Sequence, residues 1–553
     1  MNVRSGFDAI ELAILWDRLI AITDEIVSTL VRTSFSTIVR ESYDLTVVVV
    51  DAEGRLMAQG SISAPPFIGS APLTMKHVIR RFPAETLEPG DVIITNDPWQ
   101  GTGHLFDVNV VRPVFRGGRI VGYTLSITHL PDIGGMGFGA SASEIYHEGL
   151  RIPLRKIVSA GRLDESLLDL VRANVRVPDQ VVGDLMANIT ANEVGGRMLT
   201  EFMDEHRLDG LDALSAAIRG QAERVTRERI RQFRPGRYAN RIQIEGIDGP
   251  ITIACAVDIV GDDVTIDFAG TGGCVKRGIN VPYCYTNAMS LYSMKCLTSW
   301  DLPNNEGATA PIKVVAPEGC ILNAQPPWPT GGRHSTGHWV SPLVFGALKD
   351  AAPDLVQSDT GMIDILNFRG TNRHGGEFST MWFSAGGFGA LKHHDGPEVT
   401  PGPSNMSVVP TEVWEDVTGM IIERKELLVD SGGPGEARGG LGQEITFRND
   451  SGTPITVFSM ANRTEFPPLG FSGGRNGARR EHRINDKPIH PKGQYVLEQG
   501  DRMTLVQAGG GGFGDPRRRP RAKVLADLSE GFVSREGAER DYGVSLAEIK
   551  AAE

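Results

Sequence analysis

The stretch NDPWQGTGHLFDVNVVRPVFRGGRIVGYTLSITHLPDIGG, residues 96–135, decides both the fold of the N-terminal part and its chemistry. Two runs rich in Val, Ile, Tyr and Thr flank Gly117-Gly118. Both central positions of a type I′ turn need a positive φ, which glycine takes without strain, so the spacing predicts an antiparallel hairpin turning there. If Arg116 faces Arg119, counting back along both strands puts His129 opposite Phe106, between His104 and Asp107. Two imidazoles and a carboxylate then meet at one end of the hairpin, and Gly101 and Gly103 let the preceding loop wrap closely round a ligand. Such a mixed nitrogen and oxygen set suits Zn, Mn or Fe as a divalent ion and suits Ca less. A further carboxylate completes a four-ligand site, and two are candidates: Asp44, in RESYD at the start of a neighbouring strand, and Asp132 in HLPDIGG. A histidine at a strand end is more often a hydrogen-bonded core or surface residue than a ligand, so spacing alone leaves both readings open.

Outward from the hairpin, Leu12, Leu15, Leu19, Ile22 and Ile26 recur at three and four residues, which predicts a long amphipathic helix from Asp8 to about Arg40. LTVVVVDAEGRLMAQ reads as a buried strand over Leu45–Val50, a turn over Ala52–Gly54 and a return strand. A Pro-rich loop, a short helix around Leu73–Phe82 and a strand in DVIITND ending at Asp97 follow. Residues 164–233 read as helical, with a restart at Pro178-Asp179, and from Tyr238 onward short alternating strands take over, beginning with the hairpin ITIACAVDIVGDDVTIDFAG. The expected class is α+β (mixed α/β) in several layers: a metal-binding α/β unit over 1–160, a helical segment over 161–235, a β-rich α+β unit over 236–445, and a β-rich segment over 446–553 ending in a short helical region.

Hydrophobic residues at 40% and charged residues at 22% are ordinary globular values, and 553 residues exceed one ordinary core. A net charge of -12 argues against a nucleic-acid partner. The N-terminal apolar run is broken by Asp8, Glu11, Asp17, Arg18, Asp24 and Glu25, so neither a signal peptide nor a membrane span is expected. Five cysteines without a C-x-x-C pair fit a reducing compartment, hence a cytoplasmic location, and read as small buried residues. No G-x-x-x-x-G-K-[ST], H-E-x-x-H or G-x-S-x-G stands in the chain. GGRHSTGHW offers His334 and His338 at helical spacing, but Gly331, Gly332 and Gly337 argue for a loop, leaving a second site or, with Arg333, a substrate contact. His393-His394 reads as a turn. PRRRPRAK, 516–523, reads as a solvated face or subunit contact, and the glycines of DSGGPGEARGGLG and AGGGGFGDP as tight turns in preference to an anion cradle.

NDPWQGTGHLFD, THLPDIGG, SEIYHEGLRIP, GDLMANITAN, GTGGCVKRGIN, LPNNEGATAPIKVVAPEG, LLVDSGGPGEARGGLG and AGGGGFGDP together resemble the hydantoinase B family. That family also takes in the acetone carboxylase alpha subunit and half of the ATP-dependent 5-oxoprolinases. The resemblance implies a metal in this subunit, held by His104, Asp107 and His129, with Asp44 matching the family's upstream acidic ligand and serving either as fourth ligand or as the base that orients water. Phe106 and Gly103 depart from the residues common there, which bears on substrate shape. The resemblance further implies a hetero-oligomer with a hydantoinase A-type subunit that uses ATP and Mg to phosphorylate a small cyclic amide (hydantoin, oxoproline or another lactam) for hydrolysis here. A bicarbonate-using ketone carboxylase is the alternative, and a non-catalytic, metal-stabilised structural subunit the second.

Overall fold

The computed structural model describes residues 6–545 and 547–548. The described residues divide into two compact units, the first built from residues 6–138, 142–237 and 256–337, the second from 139–141, 238–255, 338–545 and 547–548. Helices and several sheets combine as an α+β structure, as the sequence predicts.

The first unit is centred on an antiparallel seven-stranded sheet. Its strands are β1 (Leu45–Asp51), β2 (Leu56–Gln59), β3 (Val92–Thr95), β4 (Asp107–Arg116), β5 (Arg119–His129), β6 (Arg155–Ser159) and β7 (Arg162–Leu163), in the order β2-β1-β5-β4-β3-β6-β7. Helix α1 (Ala9–Thr33) starts where the Asp8 carboxylate accepts the N–H groups of Ile10 and Glu11. It packs Leu15, Leu19, Ile26 and Leu30 against Leu45, Val47 and Val49. The helix stops short of the expected Arg40. The Asp184 carboxylate takes the backbone N–H groups of Phe35 (2.7 Å) and Ser36 (3.2 Å), and a separate turn follows over Thr37–Arg40. The helix expected at Leu73 begins earlier, at Phe67, despite Pro72. Gly69 lets it lie close on the helix Tyr283–Thr298, since a Cβ there would come within 2.8 Å of Ala288 Cα.

The central hairpin turns at Gly117-Gly118, both at positive φ, and Arg116 faces Arg119. The expected pairing of His129 with Phe106 is wrong by one residue. The register shifts between Val114 and Phe115, the extra residue lies on β5, and His129 faces Asp107. A β-bulge does this: one surplus residue rotates everything beyond it to the next partner. Asp107 and His129 are therefore direct cross-strand neighbours with side chains on one face.

GDLMANITAN explains how the other face of β5 is held. Asp184, Asn188 and Asn192, four apart, form a buried polar stripe on the helix Pro178–Glu205. Asn188 donates to Thr128 Oγ1 (2.9 Å) and accepts from Ser126 Oγ (2.7 Å), while Asn192 donates to Ser126 Oγ (2.6 Å). Residues 124, 126 and 128 thus face the helix, and 125, 127 and 129 face away from it.

In the second unit, one sheet orders Glu377–Ala385, Ile363–Thr371, Ile455–Met460 and Gln494–Leu497, and another Met420–Leu427, Gln443–Asn449, Arg502–Val506, Glu481–Ile484 and Lys487–Pro488. Their core includes Phe368, Trp382, Trp414, Phe447 and Leu505. The glycine-rich loops are not the turns expected of them. Gly433 N–H donates to Gly510 O and Gly510 N–H to Gly440 O, each at 2.8 Å, and a Cβ on Gly439 would collide with Gly510 O. Backbone lies directly on backbone, so many of these N–H groups serve neighbouring carbonyls. Arg519 of PRRRPRAK is likewise no surface residue: it is buried, bonding Asp395 (2.6 Å) and Asp527 (2.7 Å).

Candidate metal centre

Among the described residues, His104, Asp107 and His129 are the group of possible metal ligands whose donor atoms all lie within 4.8 Å of one another. All three are buried, at 1%, 1% and 3% exposure. Asp107 and His129 come from the facing ends of β4 and β5, and His104 from the glycine-bearing loop before β4. Gly103 takes φ +99° there, and a Cβ on it would meet Arg333 Cδ at 2.7 Å.

Backbone carbonyls fix both rings. His129 Nδ1 lies 2.8 Å from Leu130 O and His104 Nδ1 lies 3.2 Å from Gly331 O. A carbonyl only accepts, so each Nδ1 carries the proton and each Nε2 keeps its lone pair. Neither Nε2 is hydrogen-bonded. His104 Nε2 is 2.9 Å from Asp107 Oδ1 without the alignment of a hydrogen bond. Two buried lone pairs converging beside a carboxylate oxygen are what a divalent cation takes, and the Nδ1-to-carbonyl bonds are the usual orienting partners of metal-binding imidazoles. Burial pushes the His129 imidazole down to about 3, with His104 adding to the effect. Burial, then Arg333, lowers His104 as well. Both rings are therefore neutral, the form that ligates. Burial would raise Asp107, but His104 and Arg333 outweigh it and hold the carboxylate well below its ordinary range.

Asp44 is buried beside this group without joining its 4.8 Å cluster. Its carbonyl accepts the His129 N–H at 3.1 Å. Burial and the Asp107 charge raise its carboxyl well above the usual range, against the opposing pull of Arg333. Asp132, the other candidate, is committed elsewhere, accepting from Arg176 Nη1 at 2.8 Å and from the Arg176 N–H at 2.5 Å.

Arg333 closes the group from far along the chain. Nη2 donates to Asp107 Oδ2 (2.6 Å), Nε donates to Thr102 O (2.7 Å), and the guanidinium lies 4.2 Å over the Tyr285 ring. Its Nη1 has no acceptor among the described residues. Phe106 stacks on His129 (5.4 Å between centroids), and Phe138 meets the edges of His104 and His129 and stacks on His334 at 5.5 Å. His334 thus borders the aromatic shell, in a short helical turn (His334–Gly337) where a loop was expected, while His338 belongs to the second unit. His393-His394 forms the expected turn, closed by Leu391 and His394.

Two further residues at the site carry no signal in the sequence. Asn109 shares the face of Asp107, is fully buried, and has neither amide atom hydrogen-bonded. Glu148, in SEIYHEGL, is buried with Oε1 accepting the Gly331 N–H at 2.7 Å and Oε2 unpartnered. Nothing in their spacing marks them, since both matter only through contacts made by folding.

The family model described as Hydantoinase B/oxoprolinase matches residues 8–516. A putative D-/L-hydantoinase B subunit from Pseudomonas sp. (strain NS671) is 29% identical, covering 98% of this chain and 96% of that one. The caprolactamase beta chain of Pseudomonas jessenii is 31% identical over the same shares. The crystal structure of ATP-dependent caprolactamase from Pseudomonas jessenii superposes with a TM-score of 0.91 at 29% identity, covering 99% of both chains. No helix among the described residues is long and apolar enough to cross a membrane.

Proposed function

This chain belongs to the hydantoinase B/oxoprolinase family, and from that premise we propose that it is the metal-holding component of an ATP-dependent hydrolase of small cyclic amides. The observation that carries the reading is the convergence of two tautomer-locked Nε2 atoms and a depressed carboxylate in one buried cluster. His104, Asp107 and His129 hold a divalent ion of the Zn, Mn or Fe kind, and Asp44 stands beside them as fourth ligand or as base. Such an ion, when bound, supplies a Lewis acid for a carbonyl oxygen and lowers the pKa of a bound water.

The residues of this chain divide the remaining work. Asp44, buried beside the cluster, is placed to orient the attacking water and, as a carboxylate, to take its proton. Arg333 adds a fixed positive charge whose Nη1 N–H groups are uncommitted, which suits negative charge developing on the substrate or already present on a phosphoryl group. Phe106, Phe138 and Tyr285 give the site an apolar lining that keeps bulk water out. The net reaction consumes ATP and two waters: one water adds across the ring C–N bond, hydroxyl to the carbonyl carbon and proton to the nitrogen, and the other accounts for release of the transferred phosphoryl group as inorganic phosphate beside ADP.

Amide resonance makes that step slow, and phosphorylation of the substrate relieves it. The reading assigns the nucleotide to a partner: a hydantoinase A-type subunit holding ATP and Mg in a cytoplasmic hetero-oligomer. The relatives' names, which make each one component of a larger enzyme, fit such an arrangement. The test is to isolate the native complex and assay ATP hydrolysis and ring opening with lactams, hydantoins and ketones, with and without bicarbonate. Lactam- or hydantoin-dependent turnover that disappears in His129→Ala while the complex still assembles is expected. Turnover of a ketone that requires bicarbonate would select a carboxylase, and full activity in His129→Ala would move the chemistry to the partner.

A further inference from the structure

One short loop, residues 330–333, reaches two of the three candidate ligands at once. The Gly331 carbonyl fixes the His104 ring, and the Arg333 guanidinium grips Asp107. Ligands oriented by a loop are only as well placed as the loop itself. Its own bonds include Arg333 N–H to Thr330 O (2.9 Å) and Gly332 N–H to Gly278 O (2.6 Å). The hold on Gly331 itself comes from the side chain of Glu148, whose Oε1 accepts the Gly331 N–H at 2.7 Å. The same glycine thus bonds Glu148 through its N–H and His104 through its carbonyl.

Glu148 is itself anchored. Its N–H donates to Ile145 O (3.0 Å), and the Ile145 N–H donates to Pro327 O (3.0 Å), a few residues before the loop it grips. A Cβ on Gly331 would sit 3.2 Å from Oε1, so the absence of a side chain lets the carboxyl approach the peptide this closely. The Glu148 side chain has no Lys, Arg or His partner among the described residues. Burial pushes its carboxyl up to about 8, hydrogen bonds from Gly331 and Thr330 opposing, so it is mostly protonated at pH 7. What the loop takes from Glu148 is an accepting oxygen, which a carboxyl offers with or without its proton.

We propose that Glu148 is a positioning residue for this centre, pinning the 330–333 loop so that Gly331 holds His104 and Arg333 holds Asp107 in ligating geometry. The inference rests on reading His104, Asp107 and His129 as metal ligands. It goes beyond that reading in making ligand geometry depend on a residue that touches none of them. Since the contact asks only for an accepting oxygen, a glutamine replaces it, whereas an alanine removes it and strands the Gly331 N–H.

The test uses the full chain with Zn and Co(II) as probes. Zn affinity is measured by chelator competition for wild type, Glu148→Gln, Glu148→Ala, Gly331→Ala and His129→Ala, and the visible spectrum of the Co(II)-loaded forms reports ligand geometry. Glu148→Gln is expected to keep wild-type affinity within about threefold, the wild-type Co(II) spectrum and, in the complex, turnover. Glu148→Ala is expected to lose roughly 10- to 100-fold in affinity, the usual cost of removing an orienting partner, with an altered Co(II) spectrum. Gly331→Ala, which crowds the same contact, is expected to lose affinity without touching Glu148. Undiminished affinity in both alanine variants overturns the proposal and leaves the metal reading standing. Glu148→Gln that keeps its metal but loses turnover also overturns it, because Glu148 would then move a proton. A wild type with no His129-dependent affinity overturns the proposal together with the metal reading.

Discussion

Asn188→Ala tests how β5, and with it His129, is held in register. The substitution removes the acceptor of the Ser126 hydroxyl (2.7 Å), the donor to Thr128 Oγ1 (2.9 Å) and a bond to Asp184 O (2.8 Å). Ser126, Thr128 and Asn188 are all fully buried, so water does not replace what is lost. Ser126 loses its acceptor while keeping Asn192, and Thr128 Oγ1 loses its donor; at about 1–3 kcal/mol for each buried group left short of a partner the loss is roughly 2–6 kcal/mol, and the small cavity adds to it. The same physics predicts a rescue. Asn188→Leu with Ser126→Ala and Thr128→Val removes both sides of each bond with side chains of similar shape, and that exchange is close to neutral. Asn192 Nδ2 loses Ser126 Oγ in that variant but keeps Val110 O (3.3 Å) and Asn188 O (2.9 Å). Urea unfolding of the three proteins at one pH measures the difference. An Asn188→Ala protein within about 0.5 kcal/mol of wild type, the ordinary spread for an unimportant site, would refute this, as would a triple variant no more stable than the single one.

Three further outcomes are expected. Glu148 binds its proton more tightly folded, at about 8, than unfolded, near 4.5; its stabilising contribution is complete below 4.5 and falls by about 1.4 kcal/mol per pH unit between the two values. Glu148→Gln removes that slope, so the gap between variant and wild type should widen from pH 5 to pH 8 in melts at fixed salt, and parallel profiles would contradict it. Asp364 shows the opposite sign: burial would raise it, but His482 at 2.6 Å and Arg480 depress it. Its contribution is present above the unfolded carboxyl range and lost as pH falls through the depressed folded value, so Asp364→Asn should be less stable at neutral pH and flatter on the acid side of the curve. Gly439→Ala should destabilise by about 1–3 kcal/mol or more, because its Cβ meets the Gly510 backbone carbonyl, whereas Gly220→Ala, inside the helix Asp212–Ile230 with only the Arg224 side chain near, should stabilise by up to about 1 kcal/mol in the same thermal melt.

Local signals were readable where local chemistry decides. The Gly117-Gly118 turn, the buried strand after Asp44, the α1 stripe and the Pro178 helix start each follow from turn geometry, periodicity or a fixed φ. Errors arose where distant residues intervene. A bulge in β5 moved His129 from Phe106 to Asp107, and two N–H bonds to Asp184 ended α1 early. Glycines read as turns prove to be places where two backbones touch, a need that composition cannot distinguish from a positive φ. At the candidate site, His104, Asp107 and His129 are legible because they lie on one hairpin and the short loop leading into it. Arg333 was singled out only for its histidine neighbours, and Glu148 not at all, because each reaches the site from a separate segment of chain.

Metal content is the sharpest readout of this centre. Gently purified protein, analysed by inductively coupled plasma mass spectrometry beside His129→Ala, is predicted to carry about one Zn, Mn or Fe per chain, as a buried three- or four-ligand site implies, and the variant to carry none. Wild-type protein without divalent metal after loading, or His129→Ala with an undiminished share, would contradict it.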